Sequence, residues 1–351
     1  MKILITGVGG PTARSVAFAL KSCSGGTKYK LIGTDCNRLS IGLYQDSLFK
    51  KTYIIPIASD PNYWTVIEKI IHEEKIDITI VQPEQEVLEW SRRAKAEDLP
   101  CKSLIPDFNL ARISIDKSLV NELLAPFGFV PQSVIIEKNK YSFDEVKKRL
   151  GCPFWIRSTL GSSGSGSLEI ESNQKLESWL LIKGEIKKFI ASKYLPGRNL
   201  ACKLLYFNGE LIRSACAERV NYIMPNASPS GITGNTSFGR LLNEFSVFKT
   251  AKEGLEVLFE KTGAKKHGLF TVDLKEDEKG KPLITEVNVR HIAFTACFAL
   301  AGANLVEDSI RLLCGDSTFD RKFKLYEFKD NPVFFRGVDS LPFVLKESQL
   351  F

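Results

Sequence analysis

Two short segments in the last quarter of the chain combine polar side chains with a regular spacing. In residues 271–274 and 283–290 the polar positions alternate with apolar ones, a period of two that is typical of half-buried strands. This period places Glu286, Asn288 and Arg290 on one face of the second strand and the intervening valines on the other. The second segment therefore presents a carboxylate, an amide and a guanidinium in one row.

The turn between these segments determines which side chains can meet. Gly280 and Pro282 are turn residues, so the segments are predicted to form a hairpin in which Asp273 comes alongside Glu286. Two carboxylates and the amide oxygen of Asn288 are hard oxygen ligands. They suit Mg²⁺, because this ion needs few protein ligands when phosphates and water complete its shell. The alternative is an ordinary amphipathic hairpin with a solvated polar face.

The composition is that of a globular protein with more than one domain. The 351 residues are 44% hydrophobic and 25% charged, and no apolar run approaches the length that crosses a bilayer. The first residues read as a strand and a glycine turn, without the layout of a signal peptide. The eight cysteines include no CxxC pair, which favours reduced thiols. The net charge of +7 is too diffuse to indicate binding of nucleic acid. Together these features lead us to expect a soluble cytoplasmic protein with no membrane or nucleic-acid partner.

Strands and helices alternate over the first hundred residues, which indicates a parallel, doubly wound sheet. Buried strands are predicted at residues 2–8, 29–35, 52–57 and 76–83, and helices at residues 9–22 and 63–75. The first glycine turn matches a dinucleotide-binding fingerprint poorly, because Thr12 stands at the place of the third glycine. Asp35 ends the second strand, as a ribose-binding acid would. A structural sheet that contributes part of a substrate pocket is the favoured interpretation.

Two features in the middle of the chain favour phosphate binding. A helix is predicted to begin after Asp116, which puts the cation of Lys117 in a first turn where the helix dipole favours acids. Residues 161–167 are all glycine or serine, and their backbone N–H groups can wrap closely around a polyphosphate. Arg157 lies on the apolar strand before this loop. The alternatives are a solvated surface lysine and a simple linker.

The remaining segments are predicted to be mostly antiparallel strands. Turns at Pro196–Gly197 and Asn208–Gly209 are expected to join successive strands, the first two at residues 190–195 and 199–207. Residues 221–240 are predicted to form a long loop, too long to be an idle connection. After a helix and the hairpin comes a final helix pair, and the apolar patches of residues 321–351 are expected to dock on the body.

In this order the elements resemble the ATP-grasp superfamily over nearly the whole chain. The opening strand, the glycine turn and the IGTD strand look like the pre-ATP-grasp domain of carbamoyl-phosphate-synthase-like members. The helix that starts with Lys117 is similar to a family pattern. The segment PFWIRSTLGSSGSGS occupies the place of the strand and phosphate loop, with Arg157 as in the carbamoyl-phosphate synthase branch. SKYLPGRN looks like the adenine-binding hinge.

The resemblance implies an α/β and α+β architecture in which a Rossmann-like domain precedes a two-subdomain ATP-grasp fold. The expected divisions are a pre-ATP-grasp domain at 1–110, a lid region with the phosphate loop at 111–190, a C-terminal subdomain with the metal site at 191–320, and a packed tail at 321–351.

The resemblance also implies a set of ligand residues. ATP would be bound by Lys117, Arg157, Ser162, Ser163, Gly164, Ser165, Lys193, Tyr194, Leu195 and Asn199. Mg²⁺, with Mn²⁺ as a candidate substitute, would be held by Asp273, Glu286 and Asn288. Arg290 would contact a phosphate or acyl phosphate. Arg219 is a further candidate, for a substrate carboxylate, with loop anchoring as its alternative role.

Two positions depart from the family pattern. Ser192 and Asn199 stand where many members have glutamate, and an amide at residue 199 would contact the ribose hydroxyls without charge-assisted strength. The expected activity is that of an ADP-forming ligase, which joins a small carboxylic acid to an amine through an acyl phosphate. A homodimer is a candidate assembly. The alternatives are a carbamoyl-phosphate-synthase-like reaction on bicarbonate or carbamate, a non-catalytic nucleotide-binding module, and an NAD-binding oxidoreductase.

Overall fold

In the computed structural model of the protein, the described residues are 1–23, 28–138, 140–161, 164, 166–338 and 341–349. Ser162, Ser163 and Ser165, which are predicted to bind phosphates, lie outside them. Three β-sheets contain the strands of the described residues. None of the described helices is long and apolar enough to cross a membrane.

The first part of the chain forms a parallel sheet covered by helices. Its elements are β1 (Lys2–Thr6), α1 (Pro11–Cys23), β2 (Lys30–Asp35), β3 (Lys51–Ile54), α2 (Tyr63–Glu74), β4 (Ile78–Ile80), α3 (Glu84–Lys95), β5 (Lys102–Ser103), α4 (Phe108–Ser114) and α5 (Lys117–Leu124). The strand order is β3-β2-β1-β4-β5, and every pair is parallel. Ile3 and Ile5 lie in one core cluster with residues of α1, while Leu4 lies in another with residues of α2 and α3. Both faces of the sheet are therefore covered, as the alternation of strands and helices predicts.

Helix α3 is absent from the predictions above, although its ends carry ordinary helix signals. Pro83 precedes its first turn, Glu84 and Glu86 lie in that turn, and basic residues lie in its last turn. The helix matters for the site because Glu84 lies at its N-terminal end.

The second sheet is antiparallel and smaller. Its segment contains β6 (Ser133–Glu137), α6 (Phe143–Leu150), β7 (Phe154–Ser158), β8 (Leu168–Ile170), α7 (Asn173–Ile182) and β9 (Lys188–Lys193). The strand order is β6-β9-β7-β8, and buried side chains such as Phe154 and Trp179 pack the two helices onto one face. Because β7 and β8 pair with each other, the glycine- and serine-rich segment connects two hairpin strands, as predicted.

The third sheet is the largest and includes the C-terminal tail. Its segment contains β10 (Asn199–Phe207), β11 (Glu210–Tyr222), β12 (Thr236–Leu242), α8 (Phe245–Thr262), β13 (Gly268–Glu276), β14 (Pro282–Asn288), α9 (Thr295–Leu300), α10 (Leu305–Cys314), β15 (Lys324–Leu325), β16 (Pro332–Phe335) and β17 (Phe343–Lys346). The strand order is β14-β13-β10-β11-β12-β16-β17, with β15 beside β11. The tail thus docks on the body through strand pairing.

Strands β9 and β10 follow each other on either side of the Pro196–Gly197 turn, as predicted, but they are not antiparallel partners of each other. The turn at Pro196–Gly197 does not join two paired strands, because β9 pairs with β6 and β7 whereas β10 pairs with β11 and β13. The turn instead packs on β13, where the Gly197 N–H donates to the Glu276 carbonyl at 3.1 Å. A β-carbon at residue 197 would lie 2.4 Å from that of Glu276, so the close approach requires glycine. The chain crosses here from the second sheet to the third.

The long loop predicted at residues 221–240 is also shorter than expected. Strand β11 continues to Tyr222 and β12 begins at Thr236, so the connection covers only residues 223–235. Gly239 interrupts the alternation that would predict a strand here, because close packing requires a glycine at this position. A β-carbon there would lie 2.4 Å from the ring of Phe334 and 2.5 Å from the carbonyl oxygen of Glu218.

Candidate active site

A cavity of about 790 Å³ lies where the three sheets meet. Every described residue of the predicted site lines it. The predicted residues that line it are Lys117, Arg157, Gly164, Lys193, Tyr194, Leu195, Asn199, Arg219, Asp273, Glu286, Asn288 and Arg290. The fold therefore brings together side chains that are up to 173 positions apart in sequence, from Lys117 to Arg290. Their roles remain predictions.

The carboxylates of the predicted metal set lie side by side. Asp273 on β13 is the direct partner of Glu286 on β14, and the register shifts immediately after this pair. The Asn288 amide nitrogen donates to Oδ2 of Asp273 at 3.2 Å, which leaves its amide oxygen as the atom that could ligate a metal. The hairpin predicted from the period of two is thus present, and its three oxygen-bearing side chains lie close together.

The two carboxylates differ in their electrostatic surroundings. Burial raises the pKa of Asp273, and the neighbouring charge of Arg219 only partly opposes this effect. Burial also acts to raise the pKa of Glu286, but Lys117 and Arg157 outweigh it, so the pKa of that carboxyl lies below its usual value. Glu286 is therefore held as a carboxylate by two cations from different parts of the fold.

Lys117 reaches the carboxylates from the first turn of α5. The side chain of Asp116 caps this helix by accepting from the Ser118 N–H at 2.8 Å, which fixes the position of the turn. Lys117 is 8% exposed, and its Nζ atom lies 3.2 Å from Oε1 of Glu286. It also donates to the carbonyl oxygen of Gly161, at the start of the glycine- and serine-rich segment. Its cation is buried inside the site, and it is not a solvated surface lysine.

Arg157 projects from β7 toward the same hairpin. Its guanidinium donates to the carbonyl oxygen of Thr285, next to Glu286. Burial lowers the pKa of Arg157, while Glu286 and Asp273 act in the opposite direction. The Nε atom of Arg157 is buried without a hydrogen-bond partner among the described residues. An anion in the cavity would satisfy this donor.

Arg219 and Arg290 each contact an acid of the cavity. An Nη atom of Arg219 lies 2.5 Å from Oδ1 of Asp273, and the guanidinium stacks over Phe294 with Cζ 4.9 Å from the ring centre. Arg290 lies 2.9 Å from Oε1 of Glu84 at the start of α3. This contact joins Arg290 to α3, a helix that is absent from the sequence-based predictions.

The residues of the predicted adenine hinge lie at the end of β9 and immediately after it. Tyr194 and Leu195 line the cavity, while Lys193 forms an exposed ion pair with Glu278 at 2.8 Å. The side-chain oxygen of Asn199 accepts from Lys275 Nζ at 3.3 Å. Lys275 is a cavity residue that sequence reasoning missed, although it lies two positions after Asp273 and hence on the same strand face.

The structure also bears on the dinucleotide alternative. The carboxylate of Asp35 accepts from the Gly9 N–H at 2.7 Å, the Asn37 N–H at 2.9 Å and the Ser40 hydroxyl at 2.8 Å. Its oxygens thus hold the glycine turn and the following loop in place. A ribose would have to displace these bonds, which disfavours the role of Asp35 as a ribose-binding acid.

The donor set fits a magnesium ion. No group of three or more His, Cys, Asp or Glu side chains suited to a metal occurs within the described residues. The hairpin offers two adjacent carboxylates and one amide oxygen, the small number of hard ligands that Mg²⁺ takes from a protein when nucleotide phosphates supply the rest.

The chain has only low similarity to known sequences. No family model matches the chain. The chain is 23% identical over 172 residues to a formate-dependent phosphoribosylglycinamide formyltransferase from Prochlorococcus marinus, which covers 46% of this chain. The matched part spans only 42% of that relative's length.

Solved structures match far more of the chain. An N5-carboxyaminoimidazole synthetase from Staphylococcus aureus, complexed with ADP, superposes with a TM-score of 0.68 at 18% identity, over 95% of this chain and 81% of the other. The biotin carboxylase domain of a 2-oxoglutarate carboxylase from Hydrogenobacter thermophilus, in complex with MgADP and bicarbonate, superposes with a TM-score of 0.67 at 14% identity, over 95% and 74%.

These similarities define the class of fold. Both solved structures are ATP-grasp proteins, and the match extends over nearly the whole chain. The chain has the ATP-grasp fold. The resemblance inferred from the order of the sequence elements is confirmed at this level.

Proposed function

We propose that the protein is an ATP-dependent, ADP-forming ligase that joins a carboxylic acid to an amine through an acyl phosphate. The observation that carries the proposal is the arrangement of Asp273, Glu286 and Asn288 beside the buried cations Lys117 and Arg157. Carboxylates that can ligate a metal lie next to cationic side chains that can bind phosphate, and all of them line one cavity of an ATP-grasp fold. The ADP and MgADP bound to the two structural relatives support the choice of nucleotide and metal.

The charges of the cavity suit phosphoryl transfer. A carboxylate that attacks the γ-phosphorus of ATP must approach another anion, so catalysis depends on positioning and on neutralising charge. Lys117 and Arg157 would contact the phosphate oxygens from two sides of the hairpin. Asp273, Glu286 and Asn288 would hold Mg²⁺, which when bound adds positive charge at the phosphates.

The glycine-rich segment would cover the phosphates. Gly161, Gly164 and Gly166 all have positive φ angles, which residues with side chains rarely adopt. A β-carbon at Gly164 would lie 2.5 Å from the carbonyl oxygen of Ile232, which belongs to the 223–235 connection. Gly164 and Ile232 both line the cavity, so the segments that carry them would exclude water from an acyl phosphate that water would otherwise hydrolyse.

The bonds made and broken balance without any further reagent. An oxygen of the substrate carboxylate bonds to the γ-phosphorus, and the bond from that phosphorus to the bridging oxygen of ADP breaks. The amine then attacks the acyl carbon, the carbon–oxygen bond to phosphate breaks, and the amine loses a proton. Arg290 and Arg219 are proposed to orient the acyl phosphate and the substrate, respectively, as planar bidentate donors.

The experiment that tests this proposal is a screen for ADP release over an array of carboxylic acids crossed with amines. Purified protein with Mg²⁺ and ATP should release ADP only when a suitable acid is present, and a condensed product should accumulate with the amine. Release of AMP, or nucleotide turnover that no acid stimulates, would contradict the proposal.

The cytoplasmic location and the homodimer also remain proposals.

A further inference from the structure

The connection that follows the carboxylate row carries Arg290, the residue proposed to orient the acyl phosphate. Residues 289–294 lead from the end of β14 to the start of α9 through bends and a turn. Arg290 and Ile292 of this connection line the cavity. The ladder between β13 and β14 ends at the pair of Thr271 and Asn288. Beyond that pair, the path of the backbone that carries Arg290 depends on contacts other than strand pairing.

A fully buried lysine of β10 supplies two of these contacts. Lys203 lies in the middle of this strand, and its side chain is inaccessible to water. Its Nζ atom lies 3.0 Å from Nδ1 of His291 and donates to the hydroxyl oxygen of Thr295 at 3.0 Å. Nζ also lies over the ring of Phe298, 5.7 Å from its centre. One side chain therefore contacts the connection in its middle and the first residue of α9.

Thr295 links this contact to the backbone of the connection. Its hydroxyl oxygen accepts from the Ile292 N–H at 3.2 Å and donates to the Ile292 carbonyl oxygen at 2.8 Å. The register partner of Lys203 on β13 is Thr271, whose hydroxyl donates to the carbonyl oxygen of Arg290 at 3.1 Å. Two directly opposite side chains of the third sheet thus hold the backbone at residues 290 and 292.

The guanidinium of Arg290 is attached to the same backbone. Its Nη1 atom donates to the carbonyl oxygen of His291 at 3.0 Å, and its Nη2 atom donates to Oε1 of Glu84 at 2.9 Å. A movement of the backbone at His291 would displace the first of these acceptors and turn the guanidinium in the cavity. A displacement of about 1 Å at a catalytic group can lower turnover by roughly a hundredfold.

We propose that Lys203 is a positioning residue, which acts through His291 and Thr295 to hold Arg290 in the orientation that the acyl phosphate requires. Because Lys203 is fully buried, the proposal gives it no contact with the substrate. A buried amine costs free energy unless hydrogen bonds compensate, so the two contacts fix the amine as firmly as it fixes them. The inference rests on the proposed ligase function and adds a residue to it.

The first measurement is independent of activity. Hydrogen exchange, followed by mass spectrometry, is compared between intact wild-type protein and Lys203→Met. Methionine keeps an unbranched side chain but has no N–H donor. Residues 289–295 should exchange at least roughly tenfold faster in the variant, because the buried contacts that hold them are lost, while the strands of the first sheet keep wild-type rates. Wild-type exchange at residues 289–295 would overturn the inference.

The second measurement tests whether Lys203 acts through Arg290. With the acid and amine that the screen identifies, Lys203→Met should lower kcat by at least roughly tenfold and change the Kd of the β,γ-imido analogue of ATP by less than about twofold. In protein that already carries Arg290→Lys, the same change should lower kcat by less than roughly twofold, because the guanidinium is no longer there to be positioned.

Two further variants separate positioning from stability. Thr295→Val breaks the contact with Lys203 from its other end, so it should show the same dependence on Arg290, and it keeps the test decisive if Lys203→Met does not fold. Leu204→Val is the matched control, because Leu204 is equally buried on the opposite face of β10. This variant should keep the kcat of wild type.

The outcomes distinguish the inference from the function on which it rests. Equal losses of kcat from Lys203→Met in the wild-type and Arg290→Lys backgrounds would overturn the inference. A similar loss in Leu204→Val would overturn it as well, since kcat would then follow core packing in general. If no pair of acid and amine yields product, the proposed function fails instead, and the exchange measurement alone decides whether Lys203 holds the connection.

Discussion

The Nζ atom of Lys117 lies 3.2 Å from Oε1 of Glu286 and joins the first turn of α5 to the carboxylate row of β14. The two residues are 169 positions apart in sequence, yet each depends on local structure for its position. The capping side chain of Asp116 fixes the helix start, and the β13–β14 register fixes Glu286 opposite Asp273. The cation proposed to bind phosphate and the acid proposed to bind the metal are thus in direct contact.

The metal assignment predicts the effect of Glu286→Gln. This change keeps the side-chain volume and leaves an oxygen that can still accept from Lys117, so the fold should persist. It removes the charge from a proposed ligand, and turnover should fall by roughly a thousandfold, equivalent to about 4 kcal/mol. The measurement is steady-state ADP release at saturating Mg²⁺. Glu210→Gln, at an exposed position of β11, is the control, and wild-type turnover by Glu286→Gln would refute the assignment.

The phosphate-covering role of the glycine-rich segment predicts the effect of Gly164→Val. Gly164 has a φ of +74°, and a β-carbon there would meet the Ile232 carbonyl oxygen at 2.5 Å. The substitution should raise the KM for ATP by roughly tenfold and increase ATP hydrolysis that is not coupled to product. Both quantities come from parallel assays of ADP and product.

Gly315→Val supplies the matched control for that change. Gly315 ends α10 with a φ of +66°, and a β-carbon there would meet nothing within 4 Å. The control therefore carries a similar backbone penalty away from the cavity and should keep native ATP kinetics. If the two variants behave alike, residues 161–167 serve only as a connection.

The ribose contact predicts a gain of affinity in Asn199→Glu. A carboxylate accepts from both ribose hydroxyls with charge-assisted strength, but Lys275, 3.3 Å from the present side-chain oxygen, would compete for it. ATP should bind at most roughly tenfold more tightly, whereas binding of 2′,3′-dideoxy-ATP should hardly change. Titration of both nucleotides into both proteins decides the matter, because equal effects would place residue 199 away from the ribose.

Lys203 provides a pH-dependent test of the core beneath the site. Its Nζ atom is fully buried, lies 3.0 Å from Nδ1 of His291 and donates to the Thr295 hydroxyl at 3.0 Å. Burial lowers the pKa of Lys203 to about 7. Between about pH 7 and pH 10 the unfolded chain therefore binds a proton at this residue that the folded chain does not, so the free energy of unfolding rises with pH.

Lys203→Met should lack this rise. Relative to the variant, wild-type protein should gain on the order of 2 kcal/mol in the free energy of unfolding between pH 7 and pH 9. Denaturant titrations at the two pH values measure the difference. Lys249→Met, at an exposed position of α8, should change with pH as wild type does, and a constant offset for Lys203→Met would show that the buried amine does not titrate in this range.

Local patterns predicted the parts of the site that depend on local structure. The period of two and the Gly280 turn were sufficient for the Asp273–Glu286 hairpin, and the capping residue Asp116 for the helix that carries Lys117. The Pro196–Gly197 turn is present, but the pairing of its flanking strands is wrong, because a turn sequence does not reveal whether those strands pair with each other or belong to different sheets. The domain boundaries near residues 110, 190 and 320 stay predictions.

Such patterns do not predict contacts between segments that are distant in sequence. Arg290 and Glu84 are 206 positions apart, and no periodic signal in the sequence connects them. Gly239 reads as a loop residue, whereas packing against Phe334 is what requires it. These features follow from tertiary packing, which a single sequence does not show.

The most direct measurement of the central claim follows oxygen from the acid into phosphate. Once the screen has identified a substrate acid, its carboxylate is labelled with ¹⁸O, and the inorganic phosphate from a complete turnover is analysed by mass spectrometry. An acyl-phosphate route transfers one carboxylate oxygen to each phosphate, so one ¹⁸O per phosphate is the predicted result. Unlabelled phosphate alongside the condensed product would contradict the account.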